Sequence, residues 1–82
     1  MGYSQQTFFE ILNTMTLNKP FTVTDIYHIT KFHIATIERY LKHLLLEKHI
    51  LVKENRNDLR SKNYFITPKG QQYKARLRKN LK

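Results

Sequence analysis

The chain has no cysteine, which excludes disulfides, thiolate catalysis and cysteine-based zinc sites together. Glycine is nearly as scarce, with two in the whole sequence, so a phosphate-cradling loop has no material to form from. Acids number only six. No nucleophile stands beside a base at any motif spacing, and the chain reads as a non-enzyme. No apolar run approaches the ~20 residues that a transmembrane helix needs. The opening MGYSQQ lacks a basic segment followed by an apolar one, so no signal peptide is expected and the reading is cytoplasmic. The four histidines, His28, His33, His43 and His49, lack the i,i+4 spacing that sets two ligands on one helical face. No metal, cofactor or small-molecule ligand is expected.

What the chain has is apolar material for one core and a large excess of positive charge. Eighty-two residues make a single domain, and 40% hydrophobic residues, ten of them Phe or Tyr, suffice to fold it. The net charge is +9. It is carried unevenly: residues 1–52 hold five cations and four acids, whereas residues 53–82 hold ten cations and two acids. A surface of that density concentrates polyanions, and charge alone does not choose among DNA, RNA and anionic lipid.

The most informative stretch is Ile34 to Leu46, IATIERYLKHLLL. On a wheel of 100° per residue, Ile34, Ile37, Leu41, Leu44 and Leu45 gather on one side with Tyr40 at the edge. Ala35, Thr36, Arg39, Lys42 and His43 fall on the other, which carries no acid. Short donors near a helix start with cations further along can enter a DNA major groove. A core helix with a solvated basic face has the same wheel, so the surroundings must decide.

Before this stretch, Ser4 caps a first helix running to about Leu17, with Phe8, Ile11, Leu12 and Met15 at spacings of three and four and Phe9 widening the stripe. Asn18-Lys19-Pro20 ends it, and Phe21-Thr22-Val23 is long enough only for a brief β segment or a loop. Thr22 and Asp25 fit a capping box, with Thr24 a second possible cap, opening a short helix that ends near Thr30. Lys31-Phe32-His33 is then the turn of a helix-turn-helix. After it, Ile50-Leu51-Val52 and Asn63-Tyr64-Phe65-Ile66-Thr67 read as two strands of a hairpin over about 50–67, with a polar tip bearing Arg56, Arg60 and Lys62. Thr67-Pro68 opens a last helix over about 68–81. It carries Tyr73, Leu77 and Leu81 at steps of four, with Lys74, Arg76, Arg78 and Lys79 between them.

Over nearly its whole length this order resembles the winged helix-turn-helix DNA-binding domains, an α+β fold with a three-helix core, a β-hairpin wing and a C-terminal helix. Three matches carry the likeness. TVTDI followed by HIATIERYLKHL looks like the paired helices, LEKHIL like the helix-to-strand junction, and YFITPKG like the strand that leaves the wing and opens the next helix. Such stretches are common among small archaeal and bacterial transcription regulators, archaeal viral ones included. Two departures stand out. Many relatives have Gly where His49 stands, at a left-handed helix end. Leu46 is an apolar residue on the polar side of the wheel, which suggests contact with the wing, the last helix or another subunit.

The resemblance implies a sequence-specific double-stranded DNA-binding regulator, nucleoid-associated, with residues 34–47 as its recognition helix. Ala35, Thr36, Arg39 and His43 would face base edges, and Lys42 a phosphate. Lys31 and the hydroxyls of Thr22 and Thr24 are phosphate anchors, unless the threonines are simply caps. Arg56, Arg60 and Lys62 would straddle the backbone or reach the minor groove, with Leu59 either a wedge between bases or folded over the hairpin. The stripe of Tyr73, Leu77 and Leu81 would pair with its counterpart in a homodimer, as in related regulators; packing on the first helix of the same chain is the other reading. The alternatives to a specific regulator are an architectural DNA-coating protein and a module that binds RNA or protein.

Overall fold

The computed structural model describes residues 2–55 and 58–81, and the side chains of all of these except 55 and 58–61. The elements are α1 (Gln5–Asn13), α2 (Val23–Thr30), α3 (Ile34–Leu46), β1 (Ile50–Asn55), β2 (Asp58–Ile66) and α4 (Pro68–Asn80). Three helices, a hairpin and a closing helix follow one another in the expected order. No helix among the described residues is long and apolar enough to cross a membrane.

Local chemistry fixes most of the helix ends. Ser4 caps α1 by accepting from the Thr7 amide. The helix stops at Asn13 rather than near Leu17. The Thr14 and Met15 amides reach back only three residues, to the Ile11 and Leu12 carbonyls, and the Thr14 hydroxyl donates to Ile11 O at 2.7 Å. Met15 is fully buried all the same, so the apolar spacing runs on through a turn that is no longer α-helical. At α2 the capping box is complete: Asp25 N donates to Thr22 Oγ1 at 3.1 Å, and Thr22 N donates to Asp25 Oδ2 at 3.0 Å. The α2–α3 turn is made by Lys31, whose left-handed backbone (φ 64°) closes the helix with a 2.7 Å bond from its amide to the Tyr27 carbonyl.

The hairpin pairs Ile50 with Ile66, Val52 with Tyr64 and Glu54 with Lys62, and its register breaks between Glu54 and Asn55. Side chains alternate across a strand. Ile50, Tyr64 and Ile66 therefore face inward and are buried, while Leu51 and Lys53 face outward and are exposed. The brief β segment at Phe21 is real: Phe21 and Tyr64 exchange backbone hydrogen bonds of 2.9 and 2.7 Å, tying the α1–α2 connection to the hairpin. The core these elements enclose takes Ile11 and Leu12 from α1, Ile26 from α2, Ile37, Leu41 and Leu44 from α3, Ile50 and Ile66 from the hairpin and Leu77 from α4. Full burial of each such side chain contributes roughly 1.5–3 kcal/mol.

One junction joins the two halves of the chain. At the end of α3 the left-handed residue is Lys48 (φ 62°), one place before the expected His49. The Lys48 amide donates to Leu45 O and the His49 amide to Leu44 O, both at 3.0 Å, which is a Schellman end. Thr67, the N-cap of α4, closes over it. Its amide donates to His49 O at 3.0 Å, and its hydroxyl lies 2.9 and 3.0 Å from the Lys48 and His49 carbonyls while accepting from Gly70 N. A β-carbon on Gly70 would overlap the His49 carbonyl oxygen. The His49 ring stacks on Tyr73 at 4.3 Å and 8°, and its buried Nδ1 finds no hydrogen-bond partner among the described residues.

Two outcomes follow from this junction. Gly70→Ala should cost about 1–3 kcal/mol in urea unfolding, because the oxygen it meets belongs to a carbonyl already engaged by Thr67, whereas Gly2→Ala, with open space around it, should be neutral. His49 is the pH-sensitive element. Burial, with Lys69 nearby, lowers its pKa below the ordinary 6.5. The unfolded chain therefore takes up this proton first, so the stability His49 confers is complete above about pH 6.5 and declines as pH falls toward the folded-state value. Melting temperatures recorded from pH 7.5 downward should show this decline, and His49→Phe, which keeps the stacked ring, should remove it.

Candidate nucleic-acid interface

The α3 helix is held by its apolar side. Ile37, Tyr40, Leu41 and Leu44 are buried, which leaves Ala35, Arg39, Lys42 and Leu46 along the opposite side, all four exposed. They follow at steps of four, three and four, so they form one row on the helix surface. Thr36 lies at the edge of this row, half-buried. Leu46 is 73% exposed at the far end of the row.

On the hairpin side of α3 a cleft of about 420 Å³ opens between the start of α2, the start of α3 and β2. Thr22, Thr24, Ile34, Glu38, Lys62 and Tyr64 line it. The Thr22 side chain caps α2 by accepting from the Asp25 amide; Thr24, in the first turn of that helix, is exposed. Tyr64 is 8% exposed, and burial followed by the nearby Glu38 carboxylate raises its hydroxyl pKa. Among the lining residues Glu38 is the acid, and Lys62 lines the same cleft from the hairpin.

The other expected contact residues separate into three groups. Lys31 is exposed at the corner between α2 and α3, its ammonium 5.7 Å from the Tyr27 ring centroid. Arg56 lies outside the described residues. Arg60 and Leu59 lie in β2, and their side chains are outside the description. His43 is not on the open row: it is half-buried, stacked on Tyr3 at 4.8 Å and beside Phe8 at 5.3 Å. The wheel put it with the polar residues, and the aromatic segment ahead of α1 folds over that flank. Tyr3 itself carries no periodic signal in the sequence and was not among the expected site residues.

The stripe on α4 needs correction. Leu77 is 2% exposed and belongs to the core of its own chain. Tyr73 is half-buried between His49 and Phe8. Two cations beside the stripe close the contact with α1: Lys74 Nζ donates to Met15 O at 3.1 Å, and Arg78 donates to Asn13 Oδ1 at 3.2 Å while lying over the Phe9 ring. Burial, reinforced by Arg78, lowers the Lys74 pKa. One acceptor is the side-chain amide oxygen of the last α1 residue and the other a backbone carbonyl in the turn just after it. Tyr73 and Leu77 are thus occupied within the chain, and Leu81, 37% exposed, is the member of the stripe left at the surface. Lys69, Arg76 and Lys79 are exposed on α4.

No protein-family model matches the chain, and no curated protein matches it by sequence. Solved structures do match its fold. It superposes on Sso10a-2, a DNA-binding protein from Sulfolobus solfataricus, with a TM-score of 0.83 at 18% identity, over 98% of this chain and 79% of that one. The transcriptional regulator BldR from the same organism gives 0.80 at 20% identity, over 93% and 54%. A mutant MarR from E. coli complexed with operator DNA gives 0.76 at 16% identity, over 89% and 52%. The chain spans about half the length of the last two. These likenesses establish the winged helix-turn-helix fold.

The position of Leu77 gives a direct check. Leu77→Ala should cost about 2–5 kcal/mol of stability, as a cavity in the core does, with no change in the mass measured by sedimentation. A lighter, equally stable particle would return Leu77 to an intersubunit seam.

Proposed function

We propose that this chain is a sequence-specific regulator of transcription that binds double-stranded DNA, with α3 in the major groove and the hairpin along the phosphate backbone or minor groove. The observation that carries the reading is the exposed row of Ala35, Arg39 and Lys42, free of acids, with cations on either side at Lys31 and Lys62. A row of this width matches the strip of base edges that one helix meets in the major groove. Arg39 is the member able to give guanine two parallel hydrogen bonds, Thr36 and Ala35 are small enough for close approach, and Lys42, Lys31 and Lys62 neutralise phosphates. The DNA-binding protein and the operator-bound MarR among the structural matches support this use of the fold. The role is that of a binding module rather than an enzyme, in a cytoplasmic and nucleoid-associated setting.

A homodimer on two half-sites is part of the proposal, since two copies of α3 one helical turn of DNA apart would double the contact. Because Tyr73 and Leu77 are taken up within the chain, a two-fold contact through this stripe falls to Leu81.

The test begins by selecting a preferred duplex from a randomised pool and comparing its affinity with that for random duplex. A specific regulator should show a ratio of about 10³ or more. Arg39→Ala should cost about 1–3 kcal/mol on the preferred duplex and far less on random DNA, while Lys62→Ala should weaken both alike and reduce the slope of log K against log salt by about 1. A preferred duplex that cannot be found, despite tight binding, assigns the chain to the architectural class. Absence of duplex binding at low salt transfers the basic surface to RNA or a protein partner.

A further inference from the structure

Arg39 does not stand alone on the exposed row. Its guanidinium carbon lies 6.0 Å from the ring centroid of Tyr3, a residue two places before α1 begins. The Tyr3 ring is fixed on its other sides by three aromatic neighbours. It stacks on His43 at 4.8 Å and 29°, meets Tyr40 edge-on at 5.0 Å and 87°, and lies 5.5 Å from Phe8. The next residue is anchored twice. Ser4 N donates to the Tyr40 hydroxyl at 2.8 Å, and Ser4 Oγ caps α1. A backbone bond from one side of α3 and a helix cap on the other leave Tyr3 little freedom to swing away. The ring is nevertheless 46% exposed, so it stands beside the row rather than beneath it.

We propose that Tyr3 is a positioning residue for Arg39, holding the guanidinium along the outer row of α3 so that part of the protein's sequence discrimination resides in the segment ahead of α1. This rests on the duplex-DNA reading above. An unconstrained arginine carries rotamer entropy that it loses when its planar fork meets a base. A ring that already limits its rotation toward α1 reduces that loss in advance, which is the usual gain from preorganisation. The benefit falls where two parallel bonds must be aligned, and much less where a cation meets a phosphate at any angle. Tyr3 therefore acts on discrimination more than on overall affinity.

The experiment compares Tyr3→Leu, which keeps apolar contact with Phe8 and Tyr40 but has no aromatic face, with Tyr3→Phe, which keeps the face. Affinity is measured for the selected duplex and for random duplex, each variant is melted, and the Arg39 Nε–Hε resonance is followed in the free protein. Tyr3→Leu is expected to lower the ratio of the two affinities about two- to fivefold, the range of an exposed cation–π contact, and to remove the ring-current displacement of the Arg39 signal. Tyr3→Phe is expected to keep both. In an Arg39→Ala background Tyr3→Leu should leave the ratio unchanged, and this holds even if the single variant is less stable. A ratio that survives Tyr3→Leu, or an equal loss on both duplexes, overturns the positioning role while leaving the DNA reading intact. A wild type without a preferred duplex overturns the DNA reading, and the positioning role with it.

Discussion

The carbonyl of His49 is the point on which the arrangement depends. It follows the turn that the Lys48 and His49 amides close, accepts from the Thr67 amide and hydroxyl, and lies where a β-carbon on Gly70 would have to go. Strand β1 leaves from this carbonyl and β2 returns to it. A few hydrogen bonds at its base therefore set the direction in which the hairpin leaves α3. The same contacts start α4 on a path that brings Leu77 over α1. Thr67 is suited to this because one hydroxyl both donates to the α3 exit and accepts from α4.

Much of this was legible in the sequence because it is local. Thr22 with Asp25, Thr67 with Pro68, and the apolar spacing from Ile34 to Leu45 all act within one or two helical turns, where side-chain chemistry and backbone geometry are directly coupled. The expected helix 1 ran too far because Met15 continued the stripe, and periodicity does not register a turn that tightens while its side chains stay in the core. The left-handed residue was expected at His49, but the six-to-one bond of the Schellman end places it at Lys48.

The partner of a stripe was not legible. Tyr73, Leu77 and Leu81 announce that something covers α4, and the same spacing serves a second subunit as well as α1. What decides is the length of the α1–α4 contact together with Lys74 and Arg78, whose donors reach oxygens about sixty residues away in sequence. His43 and Tyr3 show the converse. A polar position on the wheel becomes half-buried because a single aromatic outside any repeating pattern folds against it. Non-local aromatic packing leaves no periodic trace, so the flank of α3 had to be observed.

Among the described residues, three other than glycine hold left-handed backbones: Asn18, Lys31 and Lys48. Asparagine tolerates that conformation readily, but lysine does so at a cost on the order of 1 kcal/mol. Both lysines sit at exposed corners, one on each side of α3. Glycine would relax either corner and would delete a cation from the rim of the helix. Backbone ease and surface charge are in direct competition at these two positions, so a search for greater thermal stability and a search for tighter polyanion binding would pull the same codons in opposite directions.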